Sequence, residues 1–179
     1  GTGKTVTITP TYSGADVGNY SITNHPTITA DVAVKALTAT ASAANKVYDG
    51  TTTATTTLTF SGLIGTETLG QTVGSTFNNK NVGTGKTVTV NSITLANGSN
   101  GGLAANYSIS PGQTATANVT AKPLTVSGIT ASNKTYDANT TATLDVLSIS
   151  YNGLIAGDVF NGTYTGAFSD KNVGTGKTV

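Results

Sequence analysis

The chain has 179 residues, a formal net charge of +1 and a charged fraction of only 9%. All nine basic residues are lysine, and cysteine is absent. Nucleic-acid binding is therefore not expected, because arginine is the usual reader of phosphates and guanine. Disulfides, cysteine catalysis and thiolate metal sites are excluded outright.

Alternation of apolar residues with threonine begins at Thr5-Val6-Thr7-Ile8-Thr9 and returns at Thr87-Val88-Thr89-Val90. A period of two with threonine on the outer face predicts half-buried antiparallel strands. Threonine is also the commonest residue of the chain, which favours strands over helices. No apolar run approaches the length that spans a bilayer, so membrane insertion is not expected.

An Asp-Gly pair follows the first lysine-tyrosine segment, Lys46-Val47-Tyr48, and precedes a threonine run. Such a pair between alternating strands predicts a tight hairpin, since glycine accepts positive φ. In the second copy Asn139 is expected to take the left-handed position, and both tyrosine rings are expected to be buried. The predicted structural turn motif comprises Tyr48, Asp49, Gly50, Tyr136 and Asp137.

Gly62-Leu63-Ile64 and Gly153-Leu154-Ile155 interrupt the alternation at matching places. An irregular or short helical turn is therefore predicted once per module, crossing an end of the sheets.

The chain repeats itself at the length of a small domain. Asn45–Asp49 returns as Asn133–Asp137, 88 residues later, and Lys80–Val88 returns as Lys171–Val179, 91 residues later. The predicted organisation is the C-terminal half of a repeat module over residues 1–35, a complete module over 36–122 and an N-terminal half over 123–179. Neither half should fold alone, so we expect each to be completed by a neighbouring copy, along a longer chain or by strand exchange.

The strand and turn pattern predicts an all-β fold. The favoured architecture is a tandem array of antiparallel β-sandwich modules, immunoglobulin-like in general shape. The alternative is an array of β-grasp-like modules, in which the segment 63–69 forms the helix.

Several short motifs carry a family resemblance. They are Lys46–Thr52, Gly62-Leu63-Ile64, Asn106–Ile109 and Thr120–Thr125. In order and spacing they resemble the YDG-type repeats of bacterial filamentous-haemagglutinin-like surface adhesins. The second copy departs from the motif at Ala138, where the family glycine is missing. The resemblance implies a β-rich stalk module of an extracellular protein and offers no catalytic residues.

The expected function is that of a structural stalk or filament module, an adhesin spacer on the bacterial cell surface, without catalysis, metal or cofactor. Its expected partners are neighbouring modules or other copies of the chain, and a host or matrix ligand is expected to bind elsewhere. The alternative is a carbohydrate-binding module that uses exposed tyrosines, among them Tyr12, Tyr151 and Tyr164.

Few residues suggest chemistry. His25 is the only histidine, so it is expected to be a surface loop residue rather than a metal ligand or catalytic base. A Lys–Asn isopeptide bond is a possible staple in a chain without cysteine, with Lys46 as nucleophile, Asn106 as acceptor and Asp49 as the assisting acid. The reaction needs a neutral lysine beside a protonated carboxyl group.

Overall fold

A computed structural model describes all residues, 1–179. The structure is nearly all β and contains no α-helix. Two short 3₁₀ turns, Val17–Asn19 and Ala104–Asn106, are its only helical segments. The all-β prediction is therefore confirmed.

Seventeen strands follow one another along the chain. The first eight are β1 (Lys4–Val6), β2 (Ile28–Ala30), β3 (Lys35–Ala36), β4 (Thr38–Ala43), β5 (Lys46–Val47), β6 (Thr53–Ala54), β7 (Thr56–Ser61) and β8 (Leu69–Phe77). The next four are β9 (Gly83–Asn97), β10 (Tyr107–Ser108), β11 (Thr114–Thr120) and β12 (Thr125–Ser127). The last five are β13 (Thr130–Ala131), β14 (Thr141–Ala142), β15 (Leu144–Asp145), β16 (Ser150–Asn152) and β17 (Gly166–Ala167).

The largest sheet has five strands in the order β5-β11-β9-β8-β6, all from residues 36–122. A second pair, β4 with β7, is antiparallel from Thr38↔Ser61 to Ala43↔Thr56. The remaining sheets are two-stranded: β1-β2, β3-β10, β12-β16, β13-β15 and β14-β17. The long, regular strands thus belong to the one complete repeat, while residues 123–179 hold strands of two or three residues.

The chain divides into two compact units that do not follow the sequence repeat. The first unit comprises residues 1–44, 53–76 and 87–116, and its buried apolar residues are Leu37, Ala54, Leu58, Val88, Val90 and Tyr107. The second comprises residues 45–52, 77–86 and 117–179, and its buried apolar residues are Phe77, Ala117, Val119 and Ala142. The module boundaries near residues 35 and 122 remain a prediction.

Both partial repeats lack a closed core. Residues 1–34 form one antiparallel pair, β1 with β2, and Lys35 begins β3; every residue from 1 to 35 is exposed. In residues 123–179 the only buried apolar side chain is Ala142, at 7% exposure. The expectation that neither half folds alone, and that a neighbouring copy completes each, stays a prediction.

The hairpin prediction at Asp49-Gly50 is wrong. Strand β5 pairs in parallel with β11, with Lys46 opposite Val119, whereas β6 pairs antiparallel with β8. The chain does reverse here, with Gly50 at φ +79°. The local turn signal is real, but pairing with strands distant in sequence determines where the two flanking segments lie.

The helix of the β-grasp alternative is absent. Residues 65 and 66 form a turn, closed by a hydrogen bond of 3.0 Å from the Glu67 N–H to the Ile64 carbonyl. Residues 63–68 are therefore irregular, as the loss of alternation indicated, and strand β8 begins at Leu69. The prediction of a helix over 63–69 is wrong.

The left-handed residue in the second turn is Ala138, at φ +63°, and not Asn139. Ala138 matches Gly50, since 138 − 50 equals the repeat offset of 88. The backbone conformation of the turn is thus kept although the glycine is lost. An L-residue in this region is strained by about 1–2 kcal/mol.

Replacing Ala138 by glycine should stabilise the chain by about 0.5–1 kcal/mol. The relieved strain of about 1–2 kcal/mol exceeds the extra entropy that glycine gives the unfolded chain, about 0.4–1 kcal/mol. Thermal or urea unfolding measures the change. The matched control is Ala131→Gly in β13, where the same substitution should destabilise; equal effects of both variants would refute the assignment of strain.

Candidate functional site

The Tyr-Asp-Gly turn is held by a lysine. The Lys46 ammonium lies 2.7 Å from Asp49 Oδ1 and donates a 3.0 Å hydrogen bond to the Thr51 carbonyl. The Thr51 N–H donates to Asp49 Oδ1 at 2.9 Å, which closes an Asx turn. The hydrogen bond from Lys46, followed by those from Thr51, lowers the pKa of Asp49 to about 2. Lysine, aspartate and turn backbone thus form one unit.

The second copy of the turn has the same construction. Lys134 lies 2.6 Å from Asp137 and donates to the Asn139 carbonyl at 3.0 Å. The hydrogen bond from Lys134 is the main cause that lowers the pKa of Asp137. Each lysine also lies 5.8 Å from the centre of a phenylalanine ring, Phe77 for Lys46 and Phe168 for Lys134.

A second lysine holds the loop before the Gly-Thr-Gly motif. Lys86 is buried, at 9% exposure, and donates to Asn79 Oδ1 and, at 2.6 Å, to the Asn81 carbonyl. Lys177 makes the matching bonds, to Asp170 and, at 2.8 Å, to the Asn172 carbonyl. The bond from Lys177 is the main cause that lowers the pKa of Asp170. The lysine of the Gly-Thr-Gly-Lys motif therefore has a structural role, and in the first copy the motif opens strand β9.

The complete repeat and the repeat that follows it meet at Asp158, within the second compact unit. The Tyr48 hydroxyl donates to Asp158 Oδ2 at 2.6 Å, and the Lys80 ammonium lies 3.2 Å from Asp158 Oδ1. The bond from Tyr48, then that from Lys80, lowers the pKa of Asp158. We call these three residues the joint.

Apolar contact accompanies the joint. A Cβ atom at Gly50 would lie 2.9 Å from Cγ2 of Ile155, so the glycine permits this close approach. The cleft beside the joint is lined on one side by Tyr48, Lys80 and Val82 and on the other by Leu154 and Ile155. The Tyr-Asp-Gly turn of one repeat therefore packs against the Gly-Leu-Ile segment of the next.

The matching acid of the complete repeat, Glu67, also binds a tyrosine. It lies 91 residues before Asp158, and its carboxylate accepts the hydrogen bond of the Tyr107 hydroxyl. The Tyr107 oxygen in turn accepts the Ile64 N–H at 3.2 Å. The bond to Glu67, then desolvation, raises the pKa of Tyr107. An acid at this repeat position thus binds a tyrosine in both places.

The geometry around Lys46 does not favour an isopeptide bond. The reaction needs a protonated carboxyl, whereas a pKa of about 2 keeps Asp49 ionised and paired with Lys46 as an ammonium. Asn106 ends a 3₁₀ turn. The Lys46, Asp49 and Asn106 assignment stays a prediction, and intact mass would test it.

The tyrosines considered for carbohydrate binding make aromatic and hydroxyl contacts with other side chains. Tyr151 and Tyr164 share a hydrogen bond of 2.7 Å, and Phe160 packs edge-on to Tyr151 at 5.0 Å between ring centres. Tyr12 stacks on His25, whose Nε2 lies 3.0 Å from the Tyr12 hydroxyl. The Tyr48 ring is half-buried, but Tyr136 is 55% exposed, contrary to the expected burial of both rings.

The structure contains no group of three or more His, Cys, Asp or Glu side chains that could hold a metal ion. None of its helical segments has the length and hydropathy that crossing a bilayer would require.

These features define a class, that of all-β tandem-repeat proteins whose turns are held by lysine. The profile of the YDG domain matches residues 33–117 and again 120–179, so the chain belongs to the YDG domain family. No curated protein and no solved structure matches the chain. The narrower identification as a repeat of filamentous-haemagglutinin-like adhesins is wrong, because the match is to the YDG domain and not specifically to those adhesins.

Sequence reasoning missed Lys80, Lys86 and Asp158. The sequence did contain a signal for the two lysines, because both belong to the segment Lys80–Val88, which returns unchanged as Lys171–Val179. Asp158 and Glu67 are acids at one repeat offset, 91 residues apart. Retention of a charged residue at a fixed repeat position indicates a structural partner in each copy.

Because of the carboxylates of Asp49, Asp137 and Asp170 in the turns, the thermal stability of the chain should depend on pH in the acid range. Their pKa values are lowered in the folded chain, so the folded state binds fewer protons than the unfolded state below the usual aspartate value of about 4. The melting temperature should therefore be constant above about pH 5 and fall as the pH drops from about 4 towards the Asp49 pKa of about 2.

The variant Asp49→Asn should have a lower melting temperature at pH 7 and a shallower fall in acid. Asp16→Asn is the control, because the Asp16 carboxylate accepts a hydrogen bond only from the Asn19 side chain, at 3.4 Å. An acid profile unchanged by Asp49→Asn would contradict the role given to the lysine-aspartate turn. Scanning calorimetry between pH 2 and pH 7 makes the comparison.

Proposed function

We propose that this chain is a structural repeat segment of a bacterial extracellular protein, in which consecutive YDG modules form a spacer without catalytic activity. The joint is the observation that carries the proposal. Tyr48 and Lys80 of one repeat bind Asp158 of the next, with contacts of 2.6 and 3.2 Å. A repeat that binds its successor through specific side chains suits an array whose task is mechanical.

The near absence of a linker also supports a spacer. The family matches end at residue 117 and resume at residue 120. Pro123 follows at once, and its fixed φ limits bending of the connection. Short connections with specific contacts hold successive domains in a defined geometry, whereas long Gly/Ser linkers would not.

We further infer that the complete repeat is a β-sandwich. Its five-stranded sheet contains the parallel pair β5-β11 and the antiparallel pair β6-β8, and the β4-β7 pair is antiparallel. Each sheet contributes buried residues, Val88 and Val90 from β9 and Leu58 from β7. Two sheets that bury one face each against the other are the usual solution for such strands. This supports the immunoglobulin-like expectation over a β-grasp module.

An extracellular location is in keeping with the composition. The chain has no cysteine, so it needs no control of disulfide state, and its turns are secured by lysine–carboxylate pairs. Its partners in this proposal are neighbouring modules or other copies of the chain.

A carbohydrate-binding role is the second candidate and has weaker support. Sugar recognition needs exposed aromatic faces beside polar groups, whereas Tyr151 and Tyr164 are half-buried and bonded to each other. Methylated-DNA binding is an activity of SRA-YDG domains. We do not carry it over, because this chain has a net charge of +1 and no arginine to contact phosphates.

Removing the Tyr48 hydroxyl should loosen the joint. In Tyr48→Phe the amides of residues 153–160 should exchange several-fold faster with deuterium, because Asp158 loses a charge-assisted hydrogen bond. Asp158→Asn should act in the same direction, since it also loses the ion pair with Lys80.

Tyr12→Phe is the matched control, because it removes a tyrosine hydroxyl that bonds only His25. It should leave exchange over residues 153–160 unchanged. Equal exchange in wild type and Tyr48→Phe would mean that the joint does not couple the repeats, and the spacer proposal would lose its main support.

A further inference from the structure

We propose that Asn161 is a site of spontaneous covalent modification, at which the asparagine side chain is converted to aspartate and isoaspartate. The inference goes beyond the spacer role and does not depend on it. It requires only the residue pair Asn161-Gly162, the conformation of this pair in the folded chain, and water.

The reaction exchanges the side-chain amide for a carboxylate. The backbone nitrogen of Gly162 attacks Cγ of Asn161, and the side-chain nitrogen leaves as ammonia with the proton of the attacking N–H. A molecule of water then opens the five-membered imide at either of its two carbonyl carbons, which yields aspartate or isoaspartate. No oxidant or reductant takes part. Glycine favours the attack, because it has no Cβ atom to hinder its own backbone nitrogen.

The chain contains four asparagine-glycine pairs, which begin at Asn97, Asn100, Asn152 and Asn161. The attack needs a glycine nitrogen outside any hydrogen bond and an asparagine side chain that is free to turn towards it. Hydrogen bonds and strand pairing that fix either group slow the reaction, because they must break before the two atoms meet. The fold therefore decides which of the four pairs reacts.

The structure holds both reacting groups of the first pair. The Gly98 N–H donates a hydrogen bond of 2.9 Å to the Gly102 carbonyl. Asn97 Oδ1 accepts a hydrogen bond of 2.9 Å from the Ala104 N–H. Both the nitrogen and the side chain are engaged, so Asn97 should be protected.

The second and third pairs are held through their asparagine residues. Asn100 Nδ2 donates a hydrogen bond of 2.9 Å to the Thr66 carbonyl. Asn152 lies in strand β16 opposite Thr125, and its Nδ2 donates to Ser127 Oγ at 3.4 Å. Turning either side chain towards the following glycine would break these contacts, so both asparagines should react slowly.

The fourth pair is free of such contacts. Asn161 and Gly162 are exposed and lie outside every helix, strand and turn. No hydrogen bond engages the backbone or the side chain of either residue. The attack of the Gly162 nitrogen on Asn161 therefore breaks no existing hydrogen bond, and this distinguishes the pair from the other three.

Modification changes the charge and the backbone length of the segment beside the joint. A carboxylate at residue 161 raises the number of acids from eight to nine against nine lysines, so the formal net charge falls from +1 to 0. Isoaspartate also adds one methylene to the backbone directly after Phe160. Phe160 packs edge-on to Tyr151 and lines the cleft at the joint.

Mass spectrometry of the aged chain tests the proposal. The wild-type chain is kept folded at neutral pH and body temperature, and samples taken over several weeks are digested and separated. The peptide that contains Asn161 should gain about 1 Da and separate into two modified forms, one with aspartate and one with isoaspartate. Conversion should be about tenfold faster at Asn161 than at Asn97, Asn100 or Asn152, as assigned from fragment spectra.

Two controls separate the effect of the fold from that of the sequence. In Asn161→Gln the conversion at this position should be lost, because glutamine would have to close a larger ring. This variant is preferred to Gly162→Ala, since an added Cβ atom would meet the Tyr164 hydroxyl. In wild type unfolded by guanidinium chloride, all four pairs should convert at similar rates, because the hydrogen bonds that distinguish them are absent.

A folded chain in which Asn161 stays unmodified, or in which the four pairs convert at equal rates, would overturn the inference. The same preference for Asn161 in guanidinium chloride would also overturn it, because the fold would then not be the cause. These outcomes do not bear on the spacer proposal, which is tested by amide exchange over residues 153–160.

Discussion

Burial of one face of each strand requires both halves of a repeat. In residues 36–122 both are present, and Val88, Val90 and Leu58 are 0%, 1% and 3% exposed. In residues 1–35 and 123–179, side chains at positions that match these buried residues are exposed or half-buried. Burial of an apolar strand face thus depends on the whole repeat, because a lone strand pair has nothing to pack against.

Lysine side chains stabilise the turns of this chain and the contact between its repeats, a role that disulfides or arginine have in other small domains. Four lysine–carboxylate pairs are present, and three of them hold turns while the fourth, Lys80 with Asp158, holds two repeats together. Exposed ion pairs of this kind contribute little individually. The value of the three turn pairs is geometric, since each of their lysines also binds a backbone carbonyl, as Lys46 does with Thr51 and Lys177 with Asn172.

The acidic residue that follows the Gly-Leu-Ile segment binds a tyrosine of its own repeat in one copy and a tyrosine of the preceding repeat in the other. Glu67 binds Tyr107 within the complete repeat, and Asp158 binds Tyr48 across the joint. One repeat position therefore serves packing within a module in one copy and contact between modules in the other. Among the features of this structure, it is the one that most directly links a YDG module to its neighbour.

The sequence by itself determined the all-β class, the repeat spacing and the irregular segment that begins at residue 63, because these follow from local alternation, glycine placement and internal comparison. It did not determine that β5 and β6 pair with β11 and β8 rather than with each other, that Ala138 is the left-handed residue, or that Asp158 meets Tyr48. Those depend on contacts between residues far apart in the chain; the residues that meet at the joint are 110 positions apart. Local patterns fix which face a side chain takes, but only the packed structure decides which partner covers it.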